Sequence, residues 1–212
     1  MAEVLLHGER VAMVKIEAIC GCMWSGKSEE IARRLKPAKF ARRKILVALP
    51  VIDDREERNL GQILKNPLWL SNYKNLHIKK VDSFDQLKEL LSDIDPDILV
   101  MDEIHMFGPW PVNFISELRF LEKYRKQNLR IIVSGLDMDY LGKPFETLAL
   151  IMGMAHDVRK LSDAICKECQ ERTAFMTYKL PKNNKVNPDR IQIGGEKDYE
   201  PRCWECYVKG EN

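Results

Sequence analysis

The chain carries a glycine-rich loop, GCMWSGKS, directly after the apolar run KIEAIC. Gly21 and Gly26 allow the backbone to fold tightly, so that its N–H groups can point at phosphate oxygens. Lys27 is placed to reach terminal phosphates, and the Ser28 hydroxyl is a ligand for Mg²⁺. The next segment, SEEIARRL, has acidic residues in its first turn, which is typical of a helix N-terminus. The spacing therefore predicts a phosphate-binding loop between a strand and a helix, in preference to a chance match in an ordinary turn.

A pair of carboxylates ends a second apolar run, ILVMDE. Asp102 and Glu103 come at the predicted carboxyl end of a buried parallel strand, where ligands of α/β sheets bind. Asp102 is the expected partner of Mg²⁺, through water. Glu103 can take a proton from an oxygen that attacks a γ-phosphate. That oxygen belongs either to water, which makes an ATPase, or to an alcohol, which makes a kinase, and the two motifs leave both open.

Four cysteines form two C-x-x-C pairs, one at Cys166 and Cys169 and the other at Cys203 and Cys206. In a reducing compartment such pairs favour a metal site over disulfides. Four thiolates supply the tetrahedral sulfur shell that structural Zn²⁺ prefers. Because all four positions are then taken by the protein, we predict a closed, structural zinc site. The alternative is a set of reduced, buried cysteines.

Two further candidates are less specific. Arg55, in Asp53-Asp54-Arg55, could meet a transferring phosphate, although alone this triplet is typical of a solvated turn. His105 follows the two carboxylates by two residues and is expected either at the crevice or on the surface.

Strand-like and helix-like segments alternate along most of the chain. Apolar runs predict strands over 11–20, 44–50, 77–81, 97–103 and 129–136. Helical spacing predicts helices that begin at Ser28, over 83–91 with Ser83 as the cap, over about 112–126 and over 145–152. We expect Pro37 to kink or end the first helix, and the stretch 52–75 to form a loop.

This alternation predicts an α/β fold: a P-loop parallel sheet with helices on both faces. From about Lys160 the composition changes to cysteines and polar residues. We therefore expect a phosphate-binding domain over 1–159, followed by a small zinc-binding unit over 160–212.

The charge balance argues against some classes of function. The 34 Lys and Arg residues and 32 Asp and Glu residues give a net charge of +2, without the concentrated basic excess of a duplex-DNA binder. The chain has no apolar stretch near the roughly 20 residues that cross a bilayer. Its first ten residues lack the apolar core and cleavage site of a secretory signal, so we expect a cytoplasmic protein without a membrane partner.

Taken in order, these motifs resemble those of the type II thymidine kinases, from about Val14 to Val208. GCMWSGKSEE is similar to the family's G-P-M-[FN]-[AS]-G-K-[ST], Asp53-x-Arg55 to its D-x-R, and DEIHMF to D-E-[AGC]-Q-F-[FL]. GLDMDYLGKPF resembles G-L-D-x-D-F-x-G-x-P-F. TYKL, IQIGGEKDYEPRCWECY and the cysteine quartet resemble the family's zinc-and-lasso tail. The ordered set carries the resemblance.

The resemblance implies transfer of the γ-phosphoryl group of ATP to the 5′-hydroxyl of a deoxynucleoside, with thymidine as the specific substrate. Glu103 would be the general base, and Arg55 would position the transferring group. The implied ATP and Mg²⁺ ligands are Gly21, Met23, Trp24, Ser25, Gly26, Lys27, Ser28 and Asp102. Because family members are generally tetramers inhibited by the end-product triphosphate, the resemblance also implies a homotetramer and feedback by dTTP.

The implied nucleoside site combines apolar walls with a lasso loop over about 177–199. Its walls are Met23, Met106, Leu136, Tyr140 and Phe145, and its lasso contacts are Thr177, Gln192, Ile193, Gly194 and Tyr199. The sequence departs from the family at base-selecting positions, where His105 replaces a glutamine and Met106 and Tyr140 replace common phenylalanines. The catalytic positions match, so phosphorylation of a deoxynucleoside is the broader expectation.

Two other functions are compatible with parts of the sequence. A nucleic-acid-associated ATPase would use the zinc unit as a binding module, but the basic residues there are balanced by acidic ones, so we expect no stable binding to nucleic acid. A family member that binds nucleotide without phosphorylating is disfavoured by the presence of Lys27, Glu103 and Arg55.

Overall fold

The computed structural model describes residues 12–54, 60–66, 68–181 and 194–210, and the backbone of two short paired strands, β1 (Leu5–Leu6) and β2 (Glu9–Arg10). Three residues of the predicted site, Arg55, Gln192 and Ile193, lie outside the described residues. Among the helices that are described, none is both long and apolar enough to cross a membrane.

A six-stranded sheet, in which every pair of neighbouring strands is parallel, forms the centre of the molecule. Its strands are β3 (Lys15–Cys20), β4 (Ile45–Pro50), β5 (Leu76–Val81), β6 (Ile98–Met101), β7 (Arg130–Gly135) and β8 (Asp157–Lys160), in the spatial order β5-β4-β6-β7-β3-β8. The central strands are almost entirely buried, as expected for a parallel sheet covered on both faces. The predicted α/β fold with a parallel sheet is confirmed.

Helices pack two apolar clusters against the sheet. They are α1 (Lys27–Phe40), α2 (Leu60–Lys65), α3 (Phe84–Ile94), α4 (Trp110–Phe120), α5 (Glu122–Lys126) and α6 (Glu146–Met154). One cluster joins the sheet to α3, α4 and α6, and the other joins it to α1 and α2. A 3₁₀ turn over Ile104–Phe107 links β6 to α4. The predicted cap of α3 is confirmed, because the Ser83 hydroxyl accepts the Gln86 N–H.

Neither an end of α1 at Pro37 nor a loop throughout 52–75 is found. Helix α1 continues through Pro37 to Phe40, since Leu35 and Ala38 on either side of the proline are buried and their packing outweighs the missing backbone bond. Within the expected loop 52–75 the chain forms α2, which buries Leu60 and Leu64, four residues apart. A helix this short has too few turns for its period to stand out in the sequence.

The helix predicted over about 112–126 is two helices. Leu121 adopts an extended backbone, with φ −69° and ψ 118°, and separates α4 from α5. Nothing in the local sequence marks this break, because LRFLEKYRK contains neither glycine nor proline. The strand β8 was not predicted, since all four of its residues are exposed.

The C-terminal part contains the antiparallel pair β9 (Met176–Lys179) and β10 (Tyr199–Arg202), followed by α7 (Trp204–Gly210). The division of the chain after residue 159 stays a prediction. Strands β6, β7 and β3 are consecutive members of the larger sheet and parallel. Their carboxyl ends therefore bring together the loops that begin at Gly21, Asp102 and Leu136.

Candidate active site

The loop after β3 has the backbone that tight wrapping requires. Gly21, with φ +150°, has no space for a side chain, because a Cβ there would lie 2.6 Å from Ser25 Oγ and 2.9 Å from the Leu161 carbonyl oxygen. Gly26, with φ +85°, is the N-cap of α1 in the left-handed region. Helix α1 then begins at Lys27, so its free N–H groups and positive dipole end face the loop. This arrangement suits a bound anion.

Lys27 is buried against its own loop. Its ammonium donates to the carbonyl oxygens of Cys22 at 2.8 Å and Gly21 at 3.2 Å. Both bonds span the loop, so the cation lies within the concavity that the glycines create. A single positive charge held there can offset the charge of phosphate oxygens.

The two carboxylates after β6 occupy different environments. Asp102 is buried and accepts a hydrogen bond from the Ser134 hydroxyl on the neighbouring strand β7. Burial raises the pKa of Asp102, and the adjacent Glu103 carboxylate adds to this rise. Such a buried acid favours a compensating cation when it is ionised. Glu103 has a left-handed backbone, with φ +53°, so the chain changes direction just after β6.

A crevice of about 960 Å³ runs from the phosphate loop to the C-terminal part. Residues 23–29 line one side, and Glu103, His105 and Met106 line another. The remaining lining residues include Leu136, Tyr140, Phe145, Thr177 and residues 194–199. The crevice is therefore wide enough for two ligands that meet near Glu103, with a mixture of polar and apolar walls.

The loop also contacts the C-terminal part directly. The Met23 N–H donates to Thr177 Oγ1 at 3.1 Å, and the Cys22 thiol donates to the Ala174 carbonyl at 3.6 Å. Tyr199 is buried beside them at the crevice, where burial and then Asp198 raise the pKa of its hydroxyl to about 12. Tyr199 therefore lines the crevice with an uncharged phenol ring and its hydroxyl.

The four cysteines of the two C-x-x-C pairs come together. Their sulfur atoms all lie within 4.8 Å of one another, although 33 residues separate the two pairs in the sequence. A tetrahedral site with metal–sulfur bonds of about 2.3 Å needs sulfurs about 3.8 Å apart, so the cluster is compatible with such a site. Burial alone would raise the pKa of Cys166, but backbone N–H groups of Cys169 and Cys203 turned towards its sulfur hold the pKa below its usual range. The cluster can hold a metal ion.

Comparison with known proteins decides the family. A sequence model described as thymidine kinase matches residues 14–207. The chain belongs to the thymidine kinase family. It is 34% identical over 195 residues to a thymidine kinase of Roseiflexus sp. (strain RS-1), covering 91% of this chain and 94% of that relative. It is 32% identical over 195 residues to a thymidine kinase of Bacteroides fragilis (strain YCH46), covering 92% of this chain and 87% of that relative. The protein is accordingly a nucleoside kinase, a phosphotransferase.

In this kinase the described residues of the predicted site fall into three places. The crevice is lined by Met23, Trp24, Ser25, Gly26, Lys27, Ser28, Glu103, Met106, Leu136, Tyr140, Phe145, Thr177, Gly194 and Tyr199. Asp102 and Gly21 are buried behind it. Cys166, Cys169, Cys203 and Cys206 form the separate cluster. The roles assigned to these residues stay predictions, since the geometry gives their positions alone.

His105 is a buried residue of the kinase's crevice, which decides between the two places expected for it. The Leu136 N–H donates to its Nδ1 at 3.3 Å, a bond that requires a lone pair on Nδ1, as in a neutral ring with its proton on Nε2. Glu103 Oε2 lies 3.7 Å from the same nitrogen, and the two groups form an ion pair only when the ring is protonated. The ring also packs on Phe145, with centroids 4.6 Å apart at 37°. His105 therefore supports two walls of the crevice.

Other crevice residues of the kinase were not predicted from the sequence. Gln62 and Ile63 reach it from α2, a helix that its spacing did not reveal, and Asn66 reaches it from the residue that follows this helix. Asp139 is buried at its edge within the motif GLDMDYLGKPF, whose acidic residues could have been tested as turn-forming side chains.

Proposed function

We propose that this kinase transfers the γ-phosphoryl group of ATP to the 5′-hydroxyl of a deoxynucleoside, specifically thymidine. The observation that carries the proposal is the single crevice that Glu103 shares with Lys27 and Ser28 of the phosphate loop. A nucleoside in the apolar part and a triphosphate on the loop would meet at this carboxylate. The names of the relatives, which are thymidine kinases, support the choice of nucleoside.

Glu103 is the proposed general base, which accepts the proton of the 5′-hydroxyl as its oxygen attacks the γ-phosphorus. Lys27 and the N-terminal amides of α1 offset the negative charge on the phosphate oxygens. Ser28 and buried Asp102 would hold Mg²⁺, directly or through water, and the bound ion would supply further neutralisation of phosphate charge. Arg55 is the proposed positioning residue, because it occupies the arginine of the D-x-R motif. ADP is the leaving group, and the proton that Glu103 has accepted then passes to solvent.

The proposed base pocket is apolar with a few polar groups at its edge. Met23, Leu136 and Phe145 form its walls, and Met106 lies on the same side as Glu103. Thr177, Gly194 and Tyr199 border it from the C-terminal part, where backbone groups could pair with the edge of a flat pyrimidine. A Cβ on Gly194 would lie 2.8 Å from the Tyr199 ring, so the backbone passes closely over this wall. Gln192 and Ile193 stay predicted contacts.

The nucleoside is tested by offering purified protein Mg-ATP with thymidine, deoxyuridine, deoxycytidine and deoxyguanosine in parallel, and separating the products by chromatography. We expect thymidine to give the highest kcat/KM, with deoxyuridine second because it lacks one methyl group in an apolar pocket, a difference of about 10-fold or more. A preference for a purine nucleoside would contradict thymidine specificity while leaving nucleoside phosphorylation intact. ADP release that needs nucleic acid and no nucleoside would favour an ATPase.

Two substitutions of His105 distinguish the effect of its hydrogen bond with Leu136 from that of its packing on Phe145. In His105→Gln the amide oxygen can still accept the Leu136 N–H, but the packing on Phe145 is lost, so we expect the KM for nucleoside to rise about 2- to 5-fold. His105→Ala loses both contacts and leaves the part-buried Leu136 N–H without this acceptor, so its KM should rise by about 10-fold or more. Steady-state kinetics with nucleoside varied and ATP saturating make the measurement. Equal KM values for the wild type and His105→Ala would contradict this role.

We infer that the cysteine cluster holds structural Zn²⁺. Cys203→Ser should lower bound zinc from about one per chain to below about 0.2, because the remaining three sulfurs no longer close the tetrahedron. The matched control is Cys20→Ser, which alters a buried cysteine outside the cluster. Elemental analysis after gel filtration gives the metal content. Zinc far below one per chain in the wild type would remove the assignment.

Quaternary structure and regulation follow from the same proposal. A homotetramer is expected from the family resemblance and is measured by analytical ultracentrifugation.

Inhibition by dTTP is expected because its base matches the proposed pocket and its phosphates match the loop, both within one crevice. Competition of dTTP with both substrates is the expected kinetic pattern. Cytoplasmic location and the absence of stable nucleic-acid binding stay predictions of the sequence.

A further inference from the structure

A tight turn carries Tyr140 to the crevice. Asp139 forms this turn, because its Oδ1 accepts the N–H groups of Leu141 at 3.0 Å and Lys143 at 2.8 Å. The backbone of Asp139 adds bonds with Lys143 and Gly142, and Gly142 has φ +74°. These bonds define the turn's internal shape. They do not fix how the turn as a whole sits against the crevice.

Tyr207 supplies a contact from outside the turn. Its hydroxyl donates to the Tyr140 carbonyl oxygen at 2.7 Å, across 67 positions of sequence. The Tyr207 side chain is buried, at 4% exposure. A Cβ on Gly142 would lie 3.3 Å from Met176 Cε and 3.9 Å from the Tyr207 hydroxyl, so the turn lies directly against this part of the C-terminal region.

Tyr207 is also directly beside the cysteine cluster. Tyr207 follows Cys206 directly on α7, and its N–H donates to the Cys203 carbonyl at 3.0 Å. Two of the four clustered sulfurs therefore lie at the start of α7: Cys203 directly precedes the helix, and Cys206, in its first turn, is adjacent to the residue that contacts Tyr140. A displacement of this turn would move the hydroxyl relative to the Tyr140 carbonyl.

We propose that Tyr207 is a positioning residue that connects the four-cysteine cluster to the nucleoside pocket through the Tyr140 carbonyl. Through this hydrogen bond, the helix that the cluster orders contributes to the position of the turn 139–143, beside the Lys179 ammonium, which lies 4.9 Å from the centroid of the Tyr140 ring. The inference rests on the proposed function in that the crevice near Tyr140 receives a nucleoside. It assigns no role to Tyr207 in contacting the substrate.

The test removes one oxygen atom. In Tyr207→Phe we expect the KM and the dissociation constant for thymidine to rise about three- to tenfold, which corresponds to the loss of one buried hydrogen bond. The KM for ATP and the zinc content should stay within about twofold of the wild type, because the phosphate loop and the sulfurs are unchanged. Calorimetric titration with thymidine, without ATP, gives the binding constant independently of turnover.

The matched control is Tyr178→Phe. The Tyr178 hydroxyl donates to the Gly210 carbonyl at 2.8 Å, at the far end of the same helix α7. The two variants therefore each lose one tyrosine hydroxyl that bonds a backbone carbonyl, and both keep the edge-to-face packing of the two rings, whose centroids are 6.2 Å apart. Of the two hydroxyl bonds, only that of Tyr207 reaches the turn 139–143. A rise in the thymidine constants for Tyr207→Phe and not for Tyr178→Phe supports the proposal. Equal effects in both variants, or none in Tyr207→Phe, overturn it.

A second measurement covers the case in which Tyr207→Phe does not fold. In the wild type, a chelator that lowers zinc occupancy should speed amide hydrogen exchange in the segment 139–143 while exchange in β6 stays unchanged. Unchanged exchange in 139–143 would overturn the coupling. Failure of the proposed function is distinct, because a wild-type protein that phosphorylates no nucleoside would refute the function before any variant is compared.

Discussion

Replacing Glu103 by glutamine should lower kcat for nucleoside phosphorylation by about 10²- to 10⁴-fold. Glutamine keeps the shape of the side chain but cannot accept the proton of the attacking hydroxyl. The KM for nucleoside should change by less than about threefold, because the proposed role of Glu103 belongs to the transition state more than to ground-state binding. Rates are measured with both substrates saturating, by following ADP formation and confirming the nucleoside product.

The control for this variant is Glu117→Gln, the same chemical change at an exposed position on α4. Its rate should match the wild type. A Glu103→Gln enzyme that retains more than about a tenth of wild-type kcat would exclude this residue as the general base, since general-base catalysis contributes more than that. A large rise in KM at constant kcat would instead indicate that Glu103 only binds substrate.

Replacing Asp102 by asparagine should change activity and stability in opposite directions. With Mg-ATP and nucleoside, kcat should fall by about 10²- to 10³-fold, because the proposed cation loses a charged partner. In Mg²⁺-free buffer the variant should be more stable to denaturant by about 1–3 kcal/mol, since it removes a buried negative charge. The Ser134 hydroxyl can still donate to the asparagine carbonyl, so the packing is kept.

The stability change should depend on pH with a defined sign. The folded-state pKa of Asp102 lies above its unfolded-state value, so its ionisation disfavours the folded protein at pH above the folded pKa. The cost declines as the pH falls through that pKa and disappears below the unfolded pKa, where the acid is protonated in both states. Asp102→Asn should therefore stabilise more at about pH 8 than at about pH 5. Asp93→Asn on α3 is the control, and equal effects of Asp102→Asn at both pH values would contradict the account.

The parts of the fold that the sequence predicted are those encoded by local pattern. Buried apolar runs indicated β4, β6 and β7, and the glycine spacing indicated the loop between β3 and α1. The C-x-x-C pairs likewise indicated which sulfurs would cluster. In each case a few adjacent residues carry the physical requirement, such as burial on both faces or a positive φ angle.

Features that depend on distant contacts were beyond such reasoning. Helix α1 passes through Pro37 because of core packing, which the proline itself does not indicate. His105 is fixed by the Leu136 amide across 31 positions of sequence, and the Tyr207–Tyr140 bond spans 67. The α2 residues at the crevice depend on where a short helix packs. Their partners are selected by the assembled sheet and not by neighbours in the chain.

The chemistry is tested most directly by following the label from γ-³²P-labelled ATP in the presence and absence of thymidine. The account predicts that the label appears at the 5′ position of the nucleoside monophosphate, in equal amount to the ADP formed, and that almost no ADP forms without nucleoside. Label released as inorganic phosphate at a rate that thymidine does not change would contradict the central claim that this crevice joins a nucleoside hydroxyl to the γ-phosphoryl group.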